Sequence, residues 1–194
     1  MQPLVKRKPH TKNKEQTNSI SYRLPSKLLE SLETEARQKN ISHNVLVKQI
    51  LQKYVSWERF AEKIGMIPVP QKILQSLGGR LSHQEILEII DALFITIKDS
   101  VMFMKGGYDL KRTIETLEDY MRSSGMESDH RVEGDLHHFV IQHKMGIQWS
   151  IFTELLLRRV FAEFEKEMDL KFQTTESTVI ATISLGSDFD EHDY

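Results

Sequence analysis

Residues 19–24 constrain the fold most, because their side chains alternate strictly between polar and apolar. This alternation is the period of a half-buried β-strand, and Pro25 ends it. Ile20, Tyr22 and Leu24 fall on one face of that strand, and Ser19, Ser21 and Arg23 fall on the other. A lone strand cannot cover its apolar face, and the usual solution is antiparallel pairing with a second copy. The sequence therefore predicts a two-stranded ribbon built from two chains.

Two amphipathic helices are predicted directly after this strand. The first carries Leu28, Leu32 and Ala36 at helical spacing and ends near Asn40. Asn tolerates the left-handed conformation that often closes a helix. Ser42 is the predicted N-cap of the second helix, whose apolar residues continue to about residue 64.

These signals, taken in order, resemble the ribbon-helix-helix (MetJ/Arc/CopG) superfamily over about residues 18–56. The resemblance implies a swapped homodimer whose ribbon enters the major groove of double-stranded DNA. It implies base contacts from Ser19, Ser21 and Arg23. It also implies a phosphate held by backbone amides at Ser42, His43 and Asn44. The family often has Gly at the position of Asn40, and serine at two reading positions leaves the base preference open.

The charge distribution agrees with a polyanionic partner for the N-terminal third. Residues 1–64 contain 13 Lys and Arg against 6 Asp and Glu, whereas residues 65–194 contain 13 against 22. Such an asymmetry indicates either a polyanionic partner for the basic end or a solvated basic tail, and charge alone does not decide between them. Residues 1–17 are predicted to be a flexible basic arm, in which Lys6, Arg7 and Lys8 contact DNA phosphates.

The rest of the chain predicts a mostly α protein with an α+β C-terminal domain. After a linker at residues 65–81, two helices precede a small antiparallel sheet (ββαββ) that packs on a long buried helix. Ser82 and Glu85 form a capping-box signature at the start of that domain. The domains are predicted as 1–17, 18–64, 65–81, 82–185 and an acidic, disordered tail at 186–194.

Composition excludes some classes of protein and of site. There are no cysteines among the 194 residues, so disulfides and thiolate ligands are excluded. The longest apolar stretch, residues 85–104, carries five charged residues and is not expected to span a membrane. The N-terminus lacks the apolar core of a signal peptide, so a cytoplasmic location is expected. No cofactor is expected.

Histidines near the first hairpin provide the remaining chemical candidates. His137 and His143 share a strand face and are weak candidates for a metal site, since some ribbon-helix-helix repressors sense nickel through histidines. Hydrogen-bonded structural histidines are the expectation, and no metal is predicted. His143 with Ser150 is a conceivable base and nucleophile, but a third orienting group is not evident, so no enzymatic activity is predicted.

The function predicted from the sequence is that of a homodimeric, sequence-specific transcriptional regulator. Its C-terminal domain is expected to be a sensor or an oligomerisation unit. Whether the effector is a small molecule or a protein stays open, as does the choice between dimer and tetramer. The alternative function is an antitoxin-like protein whose C-terminal region neutralises a partner protein.

Overall fold

The computed structural model describes residues 18–164 and 169–185. The predicted basic arm at 1–17 and the predicted acidic tail at 186–194 lie outside these residues. The chain divides into two compact units, one ending at Val47 and one beginning at Lys48.

The first unit contains an irregular segment and a helix that begins immediately after it. Residues 18–25 form no strand in the single chain, so the two-chain ribbon predicted from residues 19–24 stays a prediction. Helix α1, Ser26–Gln38, begins directly after Pro25. The carbonyl of Pro25 accepts from the amides of Leu28 and Leu29 at 3.0 and 3.1 Å. Pro25 is therefore the N-cap residue at which the helix begins, a position that its fixed φ and missing N–H favour.

The second helix continues across the boundary between the two units and then changes from α-helical to π-helical structure. Helix α2, His43–Lys53, runs directly into a π-helical turn at Tyr54–Glu58 and then into the short α3, Arg59–Ala61. The sequence predicts one regular helix to about residue 64. A π-helical turn adds a residue to one turn and so rotates the following side chains. In this turn Trp57 is buried, with only 7% of its surface exposed.

Three helices follow in the second unit, and their ends match local signals in the sequence. They are α4, Gln71–Gly78, α5, His83–Lys105, and α6, Leu110–Ser123. The predicted capping box is confirmed: the amide of Glu85 donates to Ser82 Oγ at 3.3 Å, and the amide of Ser82 donates to Glu85 Oε2 at 2.7 Å. Hydrogen bonds from Ser82 hold the pKa of the Glu85 carboxyl below its ordinary value.

Residues 48–61 belong to the second unit because aromatic side chains attach them to these helices. Trp57 lies 5.4 Å from Tyr120 of α6, measured between ring centroids, and Phe60 lies 5.9 Å from Phe103 of α5. The division after Val47 thus falls within α2, whereas the sequence predicts a domain from 18 to 64. The predicted division into five segments stays a prediction.

A four-stranded antiparallel sheet completes the second unit. Its strands are β1, Glu127–Glu133, β2, Leu136–Gln142, β3, Lys171–Thr174, and β4, Thr178–Ser184, in the order β1-β2-β4-β3. The predicted hairpin turn is confirmed, with Gly134 at a φ of 66°. Helix α7, Ile147–Phe164, joins the two hairpins. The α+β class and the ββαββ order predicted for this region are therefore observed.

The core lies between one face of the sheet and the helices α6 and α7. Phe139, Ile141, Val179, Ala181 and Ile183 supply the sheet side. Leu157, Val160 and Phe161 supply the side of α7. Burial of each large apolar side chain contributes about 1.5–3 kcal/mol relative to exposure. Among the described helices, none combines the length and apolarity that crossing a membrane requires.

Candidate functional site

The irregular segment before α1, residues 18–25, is exposed throughout. Ser19, Ser21 and Arg23, the predicted base-contacting residues, are exposed. The apolar residues between them are exposed too: Ile20 by 72%, Tyr22 by 62% and Leu24 by 42%. Exposed apolar side chains this close together mark an association surface more often than a free one.

The turn between α1 and α2 has the geometry that its sequence predicts. Asn40 has a φ of 53°, the left-handed conformation. Its amide donates to the carbonyl of Arg37 at 3.1 Å, and the amide of Ile41 donates to the carbonyl of Ala36 at 3.0 Å. This pair of bonds is a Schellman motif, which closes the helix and turns the chain sharply. Asn40 therefore takes the role that Gly often has in such turns.

The first turn of α2 leaves two backbone amides available for an anion. Ser42 caps the helix: its Oγ accepts from the amide of Val45 at 3.2 Å, and its carbonyl accepts from the amide of Leu46 at 3.0 Å. Helix geometry leaves the preceding amides, those of His43 and Asn44, for an acceptor outside the helix. Ser42 and Asn44 are exposed, and His43 is half-buried. Lys6, Arg7 and Lys8, the predicted phosphate contacts of the arm, lie outside the described residues.

The histidines of the sheet form two separate groups. His130 of β1 and His137 of β2 are hydrogen-bonded, with 2.9 Å between Nε2 and Nδ1, and His130 stacks on Phe139 at 4.2 Å between centroids. His138 is on the opposite face of β2, where its Nδ1 lies 3.0 Å from Thr182 Oγ1. These side chains are held by neighbours within the sheet, as expected for structural histidines.

His143, directly after β2, is buried and hydrogen-bonded through both ring nitrogens. Its Nδ1 accepts from the amide of Met145 at 3.2 Å, and its Nε2 lies 3.0 Å from Ser150 Oγ. A backbone amide is always a donor, so Nδ1 carries no proton and Nε2 must donate to the serine. Burial lowers the pKa of the imidazole. In this tautomer His143 Nε2 already carries a proton and cannot take one from Ser150, although the distance between the two atoms is that of a base and a nucleophile.

His137 and His143 do not form a metal site together. Both side chains are buried, His137 in β2 and His143 directly after that strand. They are six positions apart along the strand direction, which corresponds to about 20 Å. Within the residues described, no group of three or more His, Cys, Asp or Glu side chains is placed to hold a metal ion.

A cleft of about 970 Å³ lies within the second unit, beside the π-helical turn. Its walls come from the turn and α3, from the segment before α4, from the end of α6, and from the loop between β2 and α7. Trp57, Tyr120 and Trp149 are its aromatic lining residues, and Met66, Met126 and Met145 also line it. The volume is in the range of small-molecule sites. Sequence reasoning missed this cleft, because its residues come from distant segments without a shared local pattern.

No protein-family model matches this chain, and no curated protein matches it either. The candidate sites therefore rest on their residues and geometry.

Proposed function

We propose that the protein is a homodimeric DNA-binding regulator of the ribbon-helix-helix type, with a C-terminal sensor domain. The observation that carries the proposal is the exposure of Ile20, Tyr22 and Leu24 in a segment whose residues alternate between polar and apolar. A second copy pairing antiparallel along residues 19–24 covers these side chains between two chains. Pairing also supplies the backbone hydrogen bonds that the single segment does not make.

The opposite face of such a ribbon carries the DNA-reading side chains. Ser19, Ser21 and Arg23 alternate with the apolar residues and so point away from the dimer core. A two-stranded ribbon fits the major groove, where Arg binds guanine through two parallel hydrogen bonds and Ser binds either base class. The amides of His43 and Asn44 at the N-terminus of α2 then bind a backbone phosphate.

The net charge of residues 1–64 supports this assignment. An excess of seven positive charges in this third of the chain attracts DNA without regard to sequence. Residues 65–194 have an excess of nine negative charges, which does not favour DNA contact. We therefore assign the sensor role to this part of the chain.

Two neighbouring substitutions with the same added charge test the proposal in the full chain. Tyr22→Glu places a carboxylate on the apolar face, and Ser21→Glu places one on the face assigned to DNA. Sedimentation equilibrium measures the oligomeric state. A binding-site selection from random duplexes, followed by gel-shift titration, measures DNA affinity.

The two variants are expected to differ in assembly and to agree in DNA binding. Wild type should be a dimer that prefers its selected duplex over random DNA by about 1,000-fold or more at physiological salt. Tyr22→Glu should sediment as a monomer and lose DNA binding, because the carboxylate cannot be buried between chains. Ser21→Glu should stay a dimer and lose DNA binding, because its charge repels the phosphates. A Tyr22→Glu variant that stays dimeric, or a wild type without sequence preference, contradicts the proposal.

A further inference from the structure

The lining of the cleft beside the π-helical turn defines the kind of molecule that fits there. Trp57 and Trp149 are the two tryptophans of the whole chain, and both line it. Tyr120 packs against Trp57 with an angle of 56° between the rings. Aromatic and thioether side chains bind flat apolar molecules by stacking and dispersion. These aromatic and thioether lining residues therefore favour a planar, mostly apolar ligand.

The charges around the cleft cancel. Lys53 Nζ lies 3.3 Å from Glu58 Oε1, so this pair is internally neutral. The other charged lining residues are Lys144 and Glu127, one of each sign. An anionic or cationic ligand gains no net attraction from such a lining and loses hydration on entry. An uncharged ligand avoids this cost.

Hydrogen bonds fix one wall of the cleft before any ligand enters. The side-chain amides of Gln71 and Gln75, both on α4, donate to the carbonyl oxygen of Lys144, each at 2.6 Å. Met145, the next residue, donates its amide to His143. The loop that carries Lys144 and Met145 is thus held to α4 on one side and to His143 on the other. A preformed wall reduces the entropy that a ligand must lose on binding.

The π-helical turn gives the cleft a connection to α2. Turns of this kind are rare and occur frequently at functional sites. Here the turn carries Trp57 and Glu58 into the cleft and follows Lys53, the last residue of α2. A molecule that contacts Trp57 thus contacts a turn that is continuous with that helix.

We propose that this cleft binds an uncharged, planar, mostly apolar small molecule, which acts as the effector of the protein. The binding site itself rests on the cleft alone. The effector role rests also on the proposed function, because the first turn of α2 is assigned to a DNA phosphate. An effector that favours one state of this helix changes DNA affinity, typically by about 5-fold or more.

Two dyes that share one ring system test the site and its ligand class. N-phenyl-1-naphthylamine is uncharged, and 8-anilinonaphthalene-1-sulfonate is the same molecule with an added sulfonate. The full-length protein is titrated with each dye while the tryptophans are excited. Energy transfer from Trp57 and Trp149 then reports dye in the cleft, because the two tryptophans of the chain both line it.

A blocking variant and a matched control locate the dye. Ser124 lines the cleft at the end of α6, with a backbone conformation that accepts any L-residue. Ser124→Arg fills the cleft, whereas Ser76→Arg adds the same side chain at an exposed position of α4 outside the lining. Circular dichroism checks that both variants keep the helical content of the wild type. If Ser124→Arg does not fold, Ser124→Gln is titrated in its place and its result is interpreted in the same way.

Saturable energy transfer with the uncharged dye is the expected result. We expect the Ser124 variant to weaken binding by about 10-fold, the Ser76 variant to change it by less than about 2-fold, and the sulfonated dye to bind about 10-fold more weakly. Absence of saturable transfer, or equal binding by both variants, overturns the site. Equal or tighter binding of the sulfonated dye overturns the ligand class.

Gel-shift titration with and without saturating uncharged dye tests the effector role separately. A change in DNA affinity of about 5-fold or more, abolished in Ser124→Arg, supports it. An unchanged DNA affinity overturns the effector role. A wild type that binds no selected DNA contradicts the proposed function and with it the effector role, and the dye titrations then decide the ligand site alone.

Discussion

His143 Nε2 lies 3.0 Å from Ser150 Oγ and is the donor of that hydrogen bond, because the amide of Met145 occupies Nδ1. Ser150 is fully buried and His143 is 6% exposed. The pair therefore joins the end of β2 to the start of α7 through a neutral imidazole. Protonation of Nδ1 breaks the bond from Met145, so the geometry and the burial both favour the uncharged ring.

The first prediction is that acid destabilises the protein through His143. Its folded pKa is lowered by burial, whereas the unfolded chain has the ordinary value near 6.5. The unfolded state thus binds more protons, so this stabilisation is complete above about pH 6.5 and decreases as the pH falls below it. Urea unfolding at about pH 7.5 and about pH 5.5 measures the loss. His143→Gln should lose less stability between these two pH values than wild type. An equal loss in both proteins contradicts the assignment.

The second prediction is that Ser150→Ala is destabilising although it removes only one oxygen. The substitution leaves the Nε2–H of His143 buried without an acceptor, and an unsatisfied buried donor costs about 1–3 kcal/mol. Urea denaturation measures the change in the free energy of unfolding. Ser177→Ala is the matched control, since Ser177 is exposed and its side chain is not buried against the core. Equal free energies of unfolding for the two variants contradict a structural role for the hydrogen bond between His143 and Ser150.

The third prediction is that Ni²⁺ and Zn²⁺ do not stabilise the protein through His137 and His143. The two residues are about 20 Å apart along the strand direction, too far for one ion, whose bonds to nitrogen are about 2 Å long. Differential scanning fluorimetry with each metal, in wild type and in His143→Ala, provides the measurement. A saturable rise in melting temperature that His143→Ala abolishes contradicts the prediction.

The fourth prediction distinguishes Arg23 from the predicted basic arm. Arg23→Ala should cost about 1–3 kcal/mol on the selected duplex and much less on random DNA, because hydrogen bonds to a base are removed. Replacing Lys6, Arg7 and Lys8 by Ala should weaken both duplexes alike, since phosphates carry no sequence information. It should also reduce the slope of log affinity against log salt by about 0.9 for each phosphate that is no longer neutralised.

Gel-shift titrations of both variants over a range of salt concentrations measure these effects. Arg23 binds a phosphate rather than a base if its variant weakens both duplexes equally, with a matching fall in the salt slope.

The sequence alone determined the features that a few neighbouring residues decide. The Schellman turn at Asn40, the cap at Ser42, the capping box of Ser82 and Glu85, and the hairpin at Gly134 all appear where the sequence predicts them. Each depends on hydrogen bonds within about six residues, and the energies are set by residue type and local backbone geometry. The periodicity of apolar residues that predicts a strand or a helix can likewise be recognised within a single segment.

Tertiary structure alone decided which distant residues meet. The hydrogen bond between His143 and Ser150 joins the end of β2 to α7, and the cleft depends on Trp57, Tyr120 and Trp149 from three separate segments. The π-helical turn that buries Trp57 also has no signal in the local sequence. Such contacts are fixed by the packing of whole elements into one core, where each position depends on every neighbour at once. No periodicity or motif within one segment carries that information.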